Sequence, residues 1–268
     1  MLAMVIAGPG AVLWLSAAAV AALMLAVWAT SVALEDASIV DVAWGPALAL
    51  VALVAALAGG GDATRRWLLL GLTCVWGGRL ALHIATRKLR ERGEDRRYAQ
   101  MRSRHPTGFA LWSLVAVFAL QGAVALIVSL PLQVSARRGG VPVGDYVPGL
   151  ALFAAGLVFE VLGDEQLRRF RADRTNVGRV MDRGLWRYTR HPNYFGDACV
   201  WWGLWLIVAP SDGAWWTFVG PLLMTVLLVR VSGKGLLERD IGDRRPGYAD
   251  YVRRTSGFVP LPPREEAR

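Results

Sequence analysis

The sequence predicts an all-α, polytopic integral membrane protein with seven transmembrane helices and an arginine-rich cytoplasmic cofactor face. Of its 268 residues, 54% are hydrophobic, and the mean hydropathy is +0.38. Soluble domains are only about 45–50% apolar. The chain nevertheless carries 30 Lys and Arg against 21 Asp and Glu, a net charge of +9. This combination indicates apolar spans that alternate with basic loops.

Seven apolar runs have the length that a membrane helix needs, which is about 20 residues. The first run has no Lys or Arg at its amino end and is too long for a signal peptide, so we expect it to be retained as a span. Both cysteines lie inside apolar runs, where small buried side chains are expected rather than metal ligands. The predicted spans are 11–34, 39–57, 67–85, 109–130, 147–163, 193–210 and 214–229.

The distribution of Lys and Arg predicts the orientation. Residues 87–107 and 164–192 hold eight each and the tail from residue 230 holds nine, whereas the alternate loops hold four, Arg65 among them. Because basic loops stay in the cytoplasm, we expect the amino end outside the cell (inner) membrane and the carboxyl end inside. The chain is predicted to form one membrane-embedded domain, 1–268, with its catalytic and cofactor half at about 147–268.

Ionisable residues within membrane spans are costly and are candidates for function. Asp41 opens the second span, and Arg79 and His83 share a helix face in the third because they are four residues apart. Two structural alternatives stay open. Asp41 can cap its helix, and His83 can lie at the membrane interface.

The polar extension of the fifth span predicts a nucleotide site. Asp164, Arg168 and Arg171 follow one another at i, i+4 and i+7 on one helical stripe. Arginine forks suit phosphate oxygens, and a carboxylate can hold a ribose hydroxyl. The alternative is that the cytoplasmic location alone accounts for these arginines.

The segment RHPNYFGD predicts a ligand-binding mouth at the start of the sixth span. Pro192 suits the first turn of a helix, whose exposed N–H groups attract anions. Asn193 and Asp197 are four residues apart, so an amide and a carboxylate converge there. The alternative is a capped helix with Asp197 in a structural hydrogen bond.

The tail continues this basic pattern. Arg230, Lys234 and Glu238 step by four residues, and RRPGYADY predicts a short helix that folds back over a site. A solvated tail that touches anionic lipid headgroups is the simpler alternative.

The motifs SIVDVAWGP, WGGRLALHI, GEDRRY, RHPNYFGD and RRPGYADY, which together span nearly the whole chain, resemble the bacterial, formerly uncharacterised branch of the steroid 5α-reductase family. The best-known members of that family are seven-span enzymes that use NADPH, bound from the cytoplasmic side, to reduce a double bond conjugated to a carbonyl. The family often has Glu at the position of Asp197. The resemblance implies cofactor contacts at Asp164, Arg168, Arg171, Arg179, Asn193, Asp197 and Arg230, and Tyr188, Lys234 and Glu238 complete the predicted set.

The resemblance is weaker where the substrate carbonyl is polarised. The steroid reductases have a Gln–Glu pair on the second span and a Tyr on the third, and this chain has neither. We predict Asp41 as the acid, which requires a raised pKa in a dry pocket. The predicted catalytic set is Asp41, Trp44 and His83, and the predicted substrate-binding set is Trp76 and Arg79.

Three functions follow as hypotheses. The first is an NADPH-dependent reductase that delivers hydride to the β-carbon of a steroid, sterol-like or other lipid enone, while an acid near Asp41 stabilises the developing enolate. The second is an S-adenosylmethionine-dependent methyltransferase, since isoprenylcysteine carboxyl methyltransferases share the RHPxYxG-type turn and a tail with paired Tyr. S-adenosylmethionine has no phosphate, so the arginines favour NADPH. The third is a non-enzymatic lipid-binding scaffold. No signature of a nucleic-acid-binding fold accompanies the charge, so the expected partners are a lipid substrate and membrane lipids.

Overall fold

The computed structural model describes residues 10–91, 93–231 and 247–264, and within these ranges the chain is helical without a strand. The predicted all-α class is therefore confirmed. The helical segments include two π-helical turns, Leu114–Ala119 and Leu227–Val231. The helices are α1 (Ala11–Ala33), α2 (Ile39–Ala58), α3 (Ala63–Glu91), α4 (Arg96–Arg104), α5 (Phe109–Val128), α6 (Leu130–Ser135), α7 (Val147–Ala172), α8 (Pro192–Val208), α9 (Val219–Val226) and α10 (Tyr248–Arg254).

Five helices in the described part of the chain are long and apolar enough to cross a membrane, namely α1, α2, α3, α5 and α7 with the turn before it. They coincide with the first five predicted spans and support a polytopic membrane protein. The sixth predicted span is α8, which has 17 residues and is therefore about 26 Å long, against a hydrocarbon core of about 30 Å. The helical segment Trp215–Arg230 is also shorter than the five. Seven spans and their orientation stay predictions.

Two helices continue well beyond the apolar runs from which they were predicted. The third span was expected to end at residue 85, but α3 reaches Glu91. The fifth was expected to end at residue 163 and to continue as a helical polar extension, and α7 does reach Ala172. Several basic residues that were expected in loops thus lie on helical extensions. Lys88 and Arg90 occupy the last turn of α3, where a positive charge interacts favourably with the helix dipole.

The chain divides into two compact units. The first comprises Met1–Val141 and Val208–Val219, and the second comprises Pro142–Ile207 and Gly220–Arg268. The second unit begins close to the predicted start of the cofactor half at residue 147. The predicted catalytic and substrate-binding residues all belong to the first unit.

In the first unit, α2 and α3 cross in direct backbone contact at Gly45 and Gly77. A Cβ atom added to Gly77 would lie 2.7 Å from the carbonyl oxygen of Gly45 and 3.0 Å from its carbonyl carbon. Only glycine allows the two backbones to approach this closely. The neighbouring Gly78 is exposed, and a Cβ atom there would meet nothing within 4 Å.

Arg65 is fully buried at the start of α3, which corrects the expectation that it lies in a charged loop. Asp62 begins the helix by accepting a hydrogen bond from the Arg65 backbone N–H at 2.6 Å. The Arg65 guanidinium donates to backbone carbonyls at the end of α6 and beyond, and to a hydroxyl that precedes α9. These acceptors are the carbonyls of Ser135 (3.0 Å), Arg138 (2.8 Å) and Gly139 (3.0 Å), and Ser211 Oγ.

In the second unit, α7 and α8 pack antiparallel along a row of glycines that we call the glycine seam. A Cβ atom on Gly149 would lie 2.6 Å from the Gly203 carbonyl oxygen, and one on Gly156 would lie 2.6 Å from the Gly196 carbonyl oxygen. The seam ends at Gly163, where a Cβ atom would lie 3.1 Å from the backbone nitrogen of Asn193. The spacing of seven residues along α7 keeps these glycines on one face.

Candidate functional site

The glycine seam brings two predicted cofactor residues together on different helices. Asn193 Nδ2, at the start of α8, donates a hydrogen bond to Asp164 Oδ1 on α7 at 3.0 Å. The other amide atom, Asn193 Oδ1, is buried and accepts no hydrogen bond from the part of the chain that the structure describes. The helix begins at Pro192, as predicted. An orphaned acceptor is therefore held in a fixed orientation at a helix N-terminus.

Further titratable side chains are buried around this pair. Glu160 is 3% exposed, His191 6% and Asp197 9%. Glu160 lies against α8, since a Cβ atom on Gly196 would be 2.6 Å from its backbone nitrogen. The His191 ring stacks on Tyr194 with centroids 5.4 Å apart. We call Glu160, Asp164, His191, Asn193 and Asp197 the α7–α8 cluster.

Two members of the α7–α8 cluster were not predicted as site residues. Glu160 precedes Asp164 by one helical turn, and His191 stands directly before Pro192. Their residue types and positions were visible in the sequence. Their burial was not, because it depends on how α7 and α8 pack.

The residues of the predicted stripe on α7 do not share one partner. Asp164 is bonded to Asn193, whereas Arg168 forms a two-point ion pair with Glu165 through bonds of 2.6 and 2.7 Å. Arg171, Arg179 and Arg230 are exposed, and Arg230 lies in the π-helical turn after α9. Tyr188 is 44% exposed. The predicted cofactor residues Lys234 and Glu238 lie outside the described residues.

The predicted short helix near the carboxyl end is α10, and the chain after it returns to the segment before α8. Arg190 donates to the carbonyls of Thr255 at 2.7 Å and Val252 at 3.2 Å. Thr189 forms an isolated bridge with Ser256, and Thr189 Oγ1 donates to the Phe258 carbonyl at 2.7 Å. We call residues 255–264 the C-terminal strap.

In the first unit, Asp41 is held by two side chains of α4. Asp41 Oδ1 accepts a hydrogen bond from the Tyr98 hydroxyl at 2.7 Å, and Oδ2 accepts from the Arg97 guanidinium at 2.8 Å. Arg97 also donates to Asp95 Oδ1 at 2.9 Å. Asp41 thus does more than cap α2, because both of its oxygens connect α2 to α4.

The electrostatics of this network keep Tyr98 protonated. Burial raises the pKa of Tyr98 far above its usual range, and the negative charge of Asp41 raises it further. Burial also raises the pKa of Asp95, but hydrogen bonds from Arg97 outweigh it and hold that pKa below its usual value. Tyr98 is therefore a neutral O–H donor, and Asp41 is its acceptor. The sequence had not singled out Tyr98.

The other polar residues around α4 fix the chain between α1 and α2. Lys88 pairs with Asp36 and also donates to Ser38 Oγ at 2.6 Å. Burial raises the pKa of Asp36, but the bonds from Lys88 and Ser38 outweigh it and leave that pKa below its usual value. Glu94 accepts from the Ala37 backbone N–H at 2.8 Å and from Arg102 through two bonds of 2.9 Å. Glu94 of the GEDRRY segment thus has a structural role.

Replacing Tyr98 by Phe is expected to lower the free energy of unfolding by about 1–3 kcal/mol, because buried Asp41 Oδ1 loses its donor. A lower thermal midpoint of the detergent-purified protein would show this loss. Ser103→Ala removes a hydroxyl from an exposed position of the same helix and should change the midpoint little. Equal midpoints for the two variants would contradict the structural role of the Tyr98–Asp41 bond.

The remaining predicted residues lie on α2 and α3. Trp76 is fully buried next to the crossing at Gly77, and Trp44 is half-buried. Arg79 and His83 are half-buried and lie four residues apart on α3. Their roles in catalysis and substrate binding stay predictions. Among the described residues, no group of three or more His, Cys, Asp or Glu is arranged to hold a metal ion.

Comparison with known proteins gives one match. No curated protein and no solved structure matches the chain. The model of a family described as "Protein of unknown function (DUF1295)" matches residues 27–255. The match covers most of the chain, including the hydrogen-bonded residues Asp41, Arg97 and Tyr98 and the α7–α8 cluster. The chain therefore belongs to the DUF1295 family.

Proposed function

We propose that the chain is an NADPH-dependent membrane oxidoreductase that acts on a CH–CH group, reducing the conjugated C=C bond of a steroid, sterol-like or other lipid enone. The proposal places the cofactor at the α7–α8 cluster. The observation that carries it is the orphaned acceptor at Asn193, and the resemblance to the steroid 5α-reductases agrees with it.

The orphaned Asn193 Oδ1 fits a dinucleotide. A buried acceptor without a donor costs about 1–3 kcal/mol, so a ligand that supplies an N–H or O–H group recovers that cost. Because Asn193 Nδ2 donates to Asp164, the amide cannot turn over without losing this bond, and Oδ1 stays presented as an acceptor. The carboxamide of a nicotinamide and the hydroxyls of its ribose are donors of this kind.

We also propose partners in the second unit for the charged groups of a dinucleotide. Arg171, Arg179 and Arg230 are exposed, and arginine binds phosphate oxygens with two parallel bonds. The N-terminus of α8 favours negative charge through its unpaired N–H groups. When bound, NADPH supplies the hydride that such a reduction requires. Among the proposed contacts, Asp164 orients Asn193, and the arginines are proposed to hold the pyrophosphate and the 2′-phosphate.

For the proton we propose the hydrogen-bonded pair of Asp41 and Tyr98 in the first unit. Tyr98 has one O–H group, which it donates to Asp41 in this structure, and Arg97 holds Asp41 in place. We propose that this hydrogen turns from Asp41 to the substrate oxygen during reduction. An enolate oxygen that develops during reduction is stabilised by a donor of this kind. Trp44 and His83, the other proposed catalytic residues, belong to the same unit, as do Trp76 and Arg79, the proposed substrate contacts.

One observation favours the methyltransferase alternative. Glu160 and Asp197 place two buried carboxylates in the α7–α8 cluster, and carboxylates stabilise a cation such as the sulfonium of S-adenosylmethionine. The two cofactors therefore have to be compared directly.

The test is cofactor binding to the full chain purified in a neutral detergent. We expect NADPH to raise the thermal midpoint in a saturable manner, as a ligand of the folded state does, and S-adenosylmethionine not to do so. Asn193→Ala removes the orphaned acceptor and Asp164→Asn frees its orientation, so each should weaken NADPH binding at least about tenfold. Asp173→Asn, an exposed carboxylate that caps a turn after α7, is the matched control and should bind as the wild type does.

Two outcomes decide against the proposal. Tight binding of S-adenosylmethionine without NADPH binding would assign the α7–α8 cluster to a methyltransferase. Binding of neither cofactor, together with no loss of NADPH absorbance in the presence of any lipid enone, would favour the non-enzymatic lipid-binding protein.

A further inference from the structure

A cavity of about 260 Å³ lies under the C-terminal strap in the second unit. It is bounded by the end of α10, by the strap itself and by Arg190 from the segment before α8. None of its lining residues belongs to the predicted cofactor set. The polar residues that line it are Arg190, Arg253, Arg254, Thr255, Ser256 and Arg264.

The charge of this lining is strongly one-sided. Four of its side chains are guanidinium groups, and none of the described lining residues is Asp or Glu. One arginine is partly neutralised from outside the lining, because Asp250 pairs with Arg253. Such a concentration of positive charge within one cavity attracts a multiply charged anion more strongly than a monoanion.

Hydrogen bonds to backbone carbonyls also hold the lining of the cavity in place. Arg190 is 8% exposed, and its guanidinium is anchored by the carbonyls of Val252 and Thr255. The backbone N–H of Arg264 donates to the Arg254 carbonyl at 2.9 Å, which holds the two ends of the lining together. The side chains of Arg254 and Arg264 are exposed, and both residues line the cavity.

We propose that this cavity binds a phosphate-type dianion. Guanidinium groups and the hydroxyls of Thr255 and Ser256 are donors that match the several oxygens of a phosphate. A phosphomonoester carries about −1.5 to −2 charges at neutral pH, which matches the excess of positive charge better than a carboxylate does. The phosphate comes either from a soluble compound or from the headgroup of a membrane lipid with a terminal phosphate.

The test uses the full chain, purified in a neutral detergent for one arm and placed in lipid nanodiscs for the other. In the first arm, inorganic phosphate is titrated against chloride at matched ionic strength. In the second arm, phosphatidylcholine nanodiscs are compared with nanodiscs that also contain phosphatidic acid. We expect a saturable rise of the thermal midpoint in at least one arm. A rise with inorganic phosphate identifies a soluble ligand, and a rise with phosphatidic acid alone identifies the lipid headgroup.

Paired variants distinguish phosphate binding in the cavity from a general effect of positive charge on the protein. The double variant Arg254→Gln/Arg264→Gln should weaken phosphate binding at least about tenfold in the arm that responds. The control Arg174→Gln/Arg183→Gln removes two exposed arginines from the same unit, outside the cavity, and should bind as the wild type does. An unchanged response in the cavity variant, or no response in either arm, would overturn the proposal. Because no dinucleotide is used, this result is independent of the proposed reductase activity.

Discussion

Replacing Gly77 by Leu is expected to destabilise the protein by about 3 kcal/mol or more, whereas the same change at the adjacent Gly78 should be tolerated. A Cβ atom at position 77 would lie 2.7 Å from a backbone oxygen of Gly45, so α2 and α3 would have to move apart. A Cβ atom at position 78 meets nothing within 4 Å, and Leu forms helices better than Gly by about 0.5–1 kcal/mol.

The measurement is the thermal midpoint and the yield of folded, detergent-purified protein for both variants. Gly77→Ala should lie between the wild type and Gly77→Leu, because a single methyl group requires a smaller separation of the helices. If Gly77→Leu and Gly78→Leu had the same midpoint, the close crossing of α2 and α3 would be wrong.

Replacing Arg65 by Met is expected to lower the free energy of unfolding by about 3 kcal/mol or more, because it removes four hydrogen bonds from a fully buried charged donor. Met fills a similar volume, so loss of packing contributes little. Four acceptors lose the guanidinium together, namely the carbonyls of Ser135, Arg138 and Gly139, and Ser211 Oγ. The carbonyls of Ser135 and Arg138 each keep a backbone N–H donor, from Arg138 and Asp62 respectively. Arg65→Lys retains the charge but has a single nitrogen in place of the guanidinium fork, so its effect should be intermediate.

The adjacent Arg66 supplies the control. Its guanidinium donates to the Ala56 carbonyl, so Arg66→Met should cost about 0.5–1.5 kcal/mol. Chemical denaturation or thermal melting of the purified variants ranks the two. Equal losses at positions 65 and 66 would show that the buried contacts of Arg65 contribute nothing beyond those of an ordinary arginine.

The parts of the fold that the sequence predicts are those set by local composition. The apolar runs predict five long helices, and Pro192 marks the start of α8 because proline suits the first turn. Helix ends are less well predicted, because a helix that leaves the apolar region continues with polar residues. This is why α3 extends to Glu91 beyond its predicted end. The extension of α7 to Ala172 was predicted, because Asp164, Arg168 and Arg171 follow one another at helical spacing.

The parts that the sequence does not predict depend on contacts between distant segments. Arg65 and Arg66 are the same residue type at neighbouring positions, and only the carbonyls after α6 distinguish the buried one from the other. The hydrogen bond between Asp164 and Asn193 depends on the register of α7 against α8. A signal for that register was present, since Gly149, Gly156 and Gly163 recur every seven residues.

The glycine seam restricts how many residues α7 can have between Gly149 and Gly163. From Gly149 to Gly163 it extends over about 21 Å of helix, and its glycines stay in line only while the spacing of seven residues is kept. One inserted or deleted residue in this stretch would rotate everything beyond it by about 100°. Asp164 would then be carried away from Asn193, although neither residue had changed. Substitutions on the other faces of α7 leave this register intact, so the seam restricts the length of the helix more tightly than its sequence.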